Sequence, residues 1–111
     1  MKITTHPISQ PDMLLEEFAD KHGLTMEVRE RRLDGEARTR NLARWVASFQ
    51  RCEVKGEGVL IGSYGNGNTP EEAIADYASK IRGEVLVVDA MTGSRREIPC
   101  PNEWIGLRGW L

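Results

Sequence analysis

The stretch that decides the fold is GVLIGSYGNGNTPEEAIADYASKIRG, residues 58–83. Its apolar run over residues 58–64 predicts a strand. The glycines and asparagines over 65–68 predict a tight loop, with the glycines at turn positions that need a positive φ. Thr69 and Glu72 have the spacing of a capping box, so a helix is predicted to begin directly after the loop.

The predicted helix has one apolar side and one charged side. Pro70 suits its first position, where a missing N–H costs nothing, and Gly83 supplies a usual stop. A glycine-rich loop before a helix can hold a phosphate, but Glu71 and Glu72 put negative charge where the anion would sit. We therefore expect the loop to act only as a turn. The apolar stripe of the helix consists of Ile74, Tyr77, Ala78 and Ile81.

The rest of the chain alternates helix and strand patterns. An amphipathic helix, capped by Ser9 and with Pro11 in its first turn, is predicted to end at Gly23. The expected fold is a two-layer α+β domain in which an antiparallel sheet of four to five strands carries two helices on one face. The expected order is α-β-β-β-α-β-β. Strands are predicted over residues 24–31, 44–54, 58–64, 84–90 and, as a short edge strand interrupted by prolines, 95–101.

Two of these strands have informative side-chain patterns. Residues 84–90 are almost all apolar, which predicts a strand buried on both faces. In residues 44–54 the side chains alternate, so that two faces can be assigned. One face carries Trp45, Ala47 and Phe49, and the other carries Val46, Cys52 and Val54.

Length and composition indicate one globular domain over residues 1–111, with a net charge of −2. This charge argues against a surface built wholly for nucleic acid. No stretch approaches the length of a membrane span and the first residues lack the apolar run of a signal peptide, so we expect a cytoplasmic protein without membrane association. Cys52 and Cys100 lack the paired spacing of a zinc site, so we expect reduced thiols and neither a metal nor a cofactor.

The chain resembles two known families. Its order of a helix, a three-strand meander and a helix is similar to that of the double-stranded-RNA-binding domain. The segment from Trp45 to Ile81 resembles the strand-strand-helix unit of HicB-type antitoxins, whose G-x-T-x-E-E-A motif stands here as Gly67-Asn68-Thr69-Pro70-Glu71-Glu72-Ala73. The whole chain also looks like small uncharacterised phage and prophage proteins. The resemblances imply a role in binding RNA or a protein partner. Glu71 and Glu72 stand where the RNA-binding family has lysines, and nothing after Ala90 reads as a helix-turn-helix.

An arginine-rich hairpin over residues 29–44 is the first candidate site. It holds six arginines against three acidic residues, and arginine suits phosphate or carboxylate partners. The interleaved acids could instead satisfy these arginines locally and leave a solvated face. The candidate surface for an anionic partner consists of Arg29, Arg31, Arg38, Arg40, Arg44, Arg95 and Arg96.

The apolar C-terminal tail, residues 102–111, is the second candidate site. A tail this apolar should pack on something, either on its own domain or on a partner or second copy. The candidate protein interface consists of Trp104, Leu107, Trp110 and Leu111.

Catalysis is not expected, because no nucleophile is paired in the sequence with a base and an orienting acid. His6 lies next to Pro7 in the N-terminal arm of the sequence. His22 is predicted in the last turn of a helix, where a cation suits the helix dipole. Asp76 and Asp89 could form a pair of catalytic carboxylates only if the fold brought them together. The leading hypothesis is a small non-enzymatic interaction protein, possibly encoded by a phage, that binds a protein partner or itself. The alternative is a nucleic-acid-binding module that uses the hairpin over residues 29–44.

Overall fold

The computed structural model describes residues 13–31, 44–56 and 59–106. Their helices and strands confirm the α+β class. In chain order they are β1 (Met13–Leu14), α1 (Leu15–His22), β2 (Met26–Glu30), β3 (Trp45–Phe49), β4 (Cys52–Lys55), β5 (Leu60–Ile61), β6 (Gly65–Gly67), α2 (Pro70–Ile81), β7 (Val85–Val88), β8 (Arg96–Pro99) and β9 (Trp104–Gly106).

The strands form two antiparallel sheets where one was expected. The first has three strands in the order β2-β3-β6, and the second has four in the order β5-β4-β7-β8. In addition, β1 pairs in parallel with β9. The strand predicted over residues 44–54 divides because Arg51 adopts a φ of 59°, and a left-handed residue interrupts a ladder and bends the strand.

The division also changes which side chains reach the core. Ala47 and Phe49 are buried, as their predicted face requires. Cys52 and Val54 were assigned to the opposite face, but both pack against the same core. The assignment was wrong because it assumed unbroken alternation, and the irregular residues between β3 and β4 shift the pattern by one position.

Helix α2 confirms most of its predicted features. The Thr69 hydroxyl accepts a hydrogen bond from the Glu72 N–H at 3.1 Å, and Pro70 is the first helical residue. The Glu72 carboxylate reaches back to the N–H of Asn68 at 2.9 Å, one residue before the cap. Every member of the predicted stripe is buried, together with Ala73.

Helix α1 supplies the second helix of the core. It ends as predicted at Gly23, whose φ is 67°. At its start the Glu17 carboxylate accepts a hydrogen bond from the Leu14 N–H at 3.2 Å. Phe18 and its neighbours Leu15 and Ala19 are buried. The cap predicted at Ser9 and the proline at position 11 lie outside the described residues.

The glycines before α2 serve a different purpose from the one predicted. Gly65 and Gly67 belong to strand β6, and neither has a positive φ. A Cβ on Gly65 would overlap the carbonyl oxygen of Ala73 and the backbone nitrogen of Tyr77, and one on Gly67 would overlap the Ala73 nitrogen and Glu72. Their role is therefore to let the backbone of α2 lie directly on β6, which a larger residue would prevent.

Side chains of α2 also cover the outer edge of β6. The Asn66 N–H donates to Asp76 Oδ2 at 2.8 Å, and Lys80 Nζ donates to the Tyr64 carbonyl at 3.0 Å. Burial would raise the pKa of Asp76, but the hydrogen bond from Asn66 and the pairing with Lys80 outweigh it and hold the pKa below its usual range. These backbone groups are thus engaged within the domain.

Strands β7 and β8 agree with their sequence patterns. Leu86, Val87 and Val88 of β7 are all buried, which confirms a strand covered on both faces. Strand β8 lies at the edge of the four-stranded sheet, as its prolines predict. No helix within residues 13–31, 44–56 and 59–106 is long and apolar enough to cross a bilayer.

We predict that Gly65→Ala and Gly67→Ala each lower the free energy of unfolding by about 2 kcal/mol or more, because the added methyl groups push α2 away from β6. Urea denaturation measures the change. Gly62→Ala and Gly93→Ala are matched controls, since a Cβ at either position meets nothing within 4 Å. An equal loss in all four variants would contradict this account.

Candidate binding cleft

A mismatch in strand register opens a cleft between the two sheets. Ala47 pairs with Gly65, and Val54 pairs with Ile61. Between these pairs lie residues 48–53 on one side and only residues 62–64 on the other, so the two chains cannot remain paired. The space between them, bordered also by the loop after β7, is a cleft of about 460 Å³.

Two large apolar side chains stand exposed beside this cleft. Tyr64, on the short segment between β5 and β6, is 54% exposed, and Met91, on the loop after β7, is 92% exposed. Phe49 and Cys52 also contribute to the lining. The cleft is open to solvent, and its volume suits a few side chains of a partner.

The lining of the cleft is negatively charged. Glu27, Glu53 and Asp89 contribute three carboxylates, and Arg51 contributes one guanidinium. Arg51 Nε lies 3.4 Å from Asp89 Oδ1, so these two charges largely compensate each other. The excess negative charge comes from Glu27 and Glu53.

The lining of the cleft includes two residues in unusual backbone conformations. Arg51 and Asp89 have φ values of 59° and 52°, and the Asp89 N–H donates to the Arg51 carbonyl at 3.0 Å. The left-handed region is costly for residues other than glycine and is found where surrounding structure enforces it, often beside ligand sites. The two residues connect the beginning of β4 to the end of β7 and thereby hold one wall of the cleft.

Both cysteines are free thiols. Burial raises the pKa of Cys52 to about 11 and that of Cys100 to about 12. A thiol must lose its proton to act as a nucleophile, so at neutral pH neither group is activated. Cys52 therefore contributes an apolar surface to the cleft.

Most of the described arginines have carboxylate partners. Arg29 Nε lies 3.9 Å from Glu27 Oε1, and Arg44 pairs with Glu30. Arg95 donates to Glu97 at 3.1 Å. Arg31 donates to the Asn66 side chain at 2.9 Å. Arg38 and Arg40 lie outside the described residues.

The structure places two of these arginines, Arg29 and Arg96, on different faces. Arg29 alternates along β2 with Val28, which packs against the core, so Arg29 lies on the opposite, outer face. Arg96 lies two positions before Ile98 on β8, so the two residues share a face of the strand. Ile98 is buried in the core, and Arg96 therefore lies on the core face. Arg29 and Arg96 therefore cannot contribute to one flat cationic surface.

The described part of the tail packs on its own domain. Trp104 is half-buried, and its indole N–H donates to the Ala78 carbonyl at 2.8 Å. Its ring meets that of Phe18 edge-to-face, with 5.3 Å between centroids. Trp104 therefore belongs to the core packing of this chain. The other members of the predicted interface, Leu107, Trp110 and Leu111, lie outside the described residues.

His22 lies in the last turn of α1, as predicted, but its surroundings disfavour a charge. Its ring centroid is 4.7 Å from that of Phe18, and its buried Nε2 has no hydrogen-bond partner in the described structure. Burial lowers its pKa below the ordinary value of 6.5, and the nearby charges of Lys21 and Arg96 lower it further. The neutral form is thus favoured over the cation expected at a helix end. His6 lies outside the described residues.

Sequence reasoning missed the residues of the cleft. Tyr64 falls at the end of the strand predicted over residues 58–64 and Met91 directly after the one predicted over residues 84–90, and neither position carries a motif. The cleft arises from a difference in length between two paired segments that is visible only in the register. The single sequence signal nearby is the glycine at position 62, which marks the point where the strand is interrupted.

We predict that His22 makes stability depend on pH. In the unfolded chain the pKa of His22 is about 6.5, whereas in the folded chain its pKa is lower, so the folded chain binds this proton only at a lower pH. The His22 contribution is therefore fully present above about pH 6.5, declines as the pH falls through the lowered pKa and then levels off. Urea denaturation across this range should show a shallower decline for His22→Gln. Parallel profiles would contradict the prediction.

We predict that Arg51→Gly changes the free energy of unfolding by no more than about 0.5 kcal/mol, because relief of the left-handed backbone offsets the lost exposed ion pair. Arg51→Val should cost about 1–2 kcal/mol more, since a β-branched residue is strained there. Thermal and urea denaturation measure both variants. Equal stability of the two would show that the backbone strain is absent.

No group of three or more His, Cys, Asp or Glu residues in the described part of the chain could hold a metal ion.

No family model, no curated protein and no solved structure matches the chain. The resemblances to the double-stranded-RNA-binding domain and to HicB-type antitoxins therefore stay predictions from the sequence.

Proposed function

We propose that this chain is a small interaction module that binds a protein partner and does not itself catalyse a reaction. The observation that carries the proposal is the cleft between the two sheets, with Tyr64 and Met91 exposed beside it. Tyrosine and methionine are both enriched at protein interfaces. Methionine also adapts its shape to different partner surfaces because its side chain is unbranched and polarizable.

The loop that carries Met91 is held in place by its own hydrogen bonds. The Thr92 N–H and the Thr92 hydroxyl both donate to the Asp89 carbonyl, at 3.1 and 3.0 Å. The Ser94 N–H in turn donates to the Thr92 hydroxyl at 3.0 Å. A partner that contacts Met91 would therefore order little additional backbone, which lowers the cost of binding.

The reactive side chains near the cleft and in the helices already have structural roles. The Cys52 thiol is protonated at neutral pH because its pKa is about 11. Asp76 is engaged by Asn66 and Lys80 at 2.8 and 3.0 Å, whereas Asp89 pairs with Arg51. These arrangements support a binding role over a catalytic one. The free cysteines agree with a reducing compartment, the cytoplasm.

The alternative, nucleic-acid binding through residues 29–44, has less support from the described residues. Arg44 is paired with Glu30, so a phosphate would have to displace that carboxylate, and Arg31 already donates to the Asn66 side chain. Such binding should weaken steeply with salt because counterions are released. Binding of a peptide at the cleft engages few charges and should weaken less steeply with salt.

We predict that selection of displayed random peptides on the folded protein enriches sequences that bind at the cleft. Tyr64→Ala should weaken the binding of the enriched peptides about tenfold, and Met91→Ala should also weaken it, because both remove apolar contact. Val59→Ala is the matched control, since Val59 is 59% exposed and does not line the cleft. Fluorescence anisotropy measures the affinities.

The proposal fails if no enriched peptide depends on Tyr64 or Met91. It also fails if the protein binds short RNA or DNA duplexes in a salt-dependent manner and selects no peptide. Circular dichroism of each variant verifies that the fold is retained.

A further inference from the structure

The charge of the cleft is the property that restricts its partner. Glu53 has no ion-pair partner among residues 13–31, 44–56 and 59–106, although its strand lies in the middle of a sheet. Glu27 lies 3.9 Å from Arg29, whose side chain is 69% exposed, and an ion pair this long and exposed is weak. Two carboxylates thus face the cleft with little compensation.

Two cations near the cleft, Lys55 and Arg51, do not supply this compensation. Lys55 shares a face of β4 with Glu53, because the two are separated by two positions. Its Nζ donates to Glu97 Oε1 on strand β8 at 3.1 Å, so the Lys55 charge is already paired. Arg51 is engaged by Asp89 at 3.4 Å. The charges of Glu27 and Glu53 are therefore left for an external group.

The side chains beside the cleft suit a long cationic side chain. The exposed ring of Tyr64 and the exposed thioether of Met91 can contact the aliphatic part of a lysine or arginine. An aromatic ring also attracts the cationic head. A phosphate at the same place would face two carboxylates, which disfavours a nucleic acid in the cleft.

We propose that the cleft binds a lysine or arginine side chain carried by a short apolar segment of the partner protein. The cationic head lies near Glu27 and Glu53, and the flanking apolar residues contact Tyr64 and Met91. This inference rests on the proposed function and names the chemistry of the partner at the same cleft.

The test uses short labelled peptides in which leucines flank a central lysine, norleucine or glutamate. Norleucine has the length of lysine without its charge, so the ratio of the two affinities isolates the charge. The lysine peptide should bind about tenfold more tightly than the norleucine peptide. It should also shift the amide NMR signals of residues 62–64 and 89–92.

Variants of the protein assign the preference to a carboxylate. Glu53→Gln should lower the affinity ratio of lysine to norleucine peptides, and the double variant with Glu27→Gln should bring it close to one, while the norleucine peptide binds as before. Glu71→Gln removes the same charge from an exposed position on α2, away from the cleft, and should leave the ratio unchanged. A ratio that falls equally in both variants would reflect net charge alone and would overturn the inference.

The outcomes separate this inference from the proposed function. If all peptides bind at the cleft with equal affinity, or if the glutamate peptide binds best, the inference fails and the proposed function stands. If no peptide binds and the display selection also finds none, both fail. A light-scattering mass that doubles, with amide signals of the cleft broadened by the second copy, would also overturn the cationic-partner inference.

Discussion

The close contact between helix α2 and strand β6 is the constraint on which the other features of this fold depend. Gly65 and Gly67 have no side chains, so the backbone of α2 lies directly on the strand. This contact places Tyr77 in the core, where its ring meets that of Phe49 edge-to-face at 5.5 Å. It also brings Asp76 and Lys80 to the edge of β6, where they bind its backbone. The helix thus determines both the core and the edge of the three-stranded sheet.

The cleft forms because residues 60–67 contribute β5 to one sheet and β6 to the other. Strand β6 is held under α2, while β5 pairs with β4, so the segment between them is too short to follow residues 48–53. After α2 the chain returns as β7 and pairs with β4 on its other side. Arg51 and Asp89 join these strands in left-handed conformations. The site that we propose for binding therefore arises from the mismatch between two well-paired regions, at the place where neither ladder continues.

The described residues of the two candidate sites suggested by composition, the arginine-rich hairpin and the C-terminal tail, are mostly engaged within the domain. Arg29 and Arg96 lie on different faces, and most of the described arginines have carboxylate partners, because strand alternation and neighbouring carboxylates decide their surroundings. Trp104 is taken up by the core through its hydrogen bond to Ala78. Neither a count of arginines nor the apolar character of a tail contains this information, since both depend on which residues become neighbours in space. Tyr64, Met91 and Glu53 become neighbours in the same way, without any local pattern.

The sequence by itself determined the α+β class, the capped helix after Thr69, its buried stripe and the end of α1 at Gly23. These features depend on interactions within a few residues of each other, such as the hydrogen bond between Glu72 and Thr69. Only the tertiary structure decided the rest. Whether Gly65 and Gly67 serve a turn or a close approach depends on the distance to a helix, and whether Cys52 faces the core depends on the φ of Arg51. The split into two sheets and the cleft between them follow from the register of distant segments, which no local spacing records.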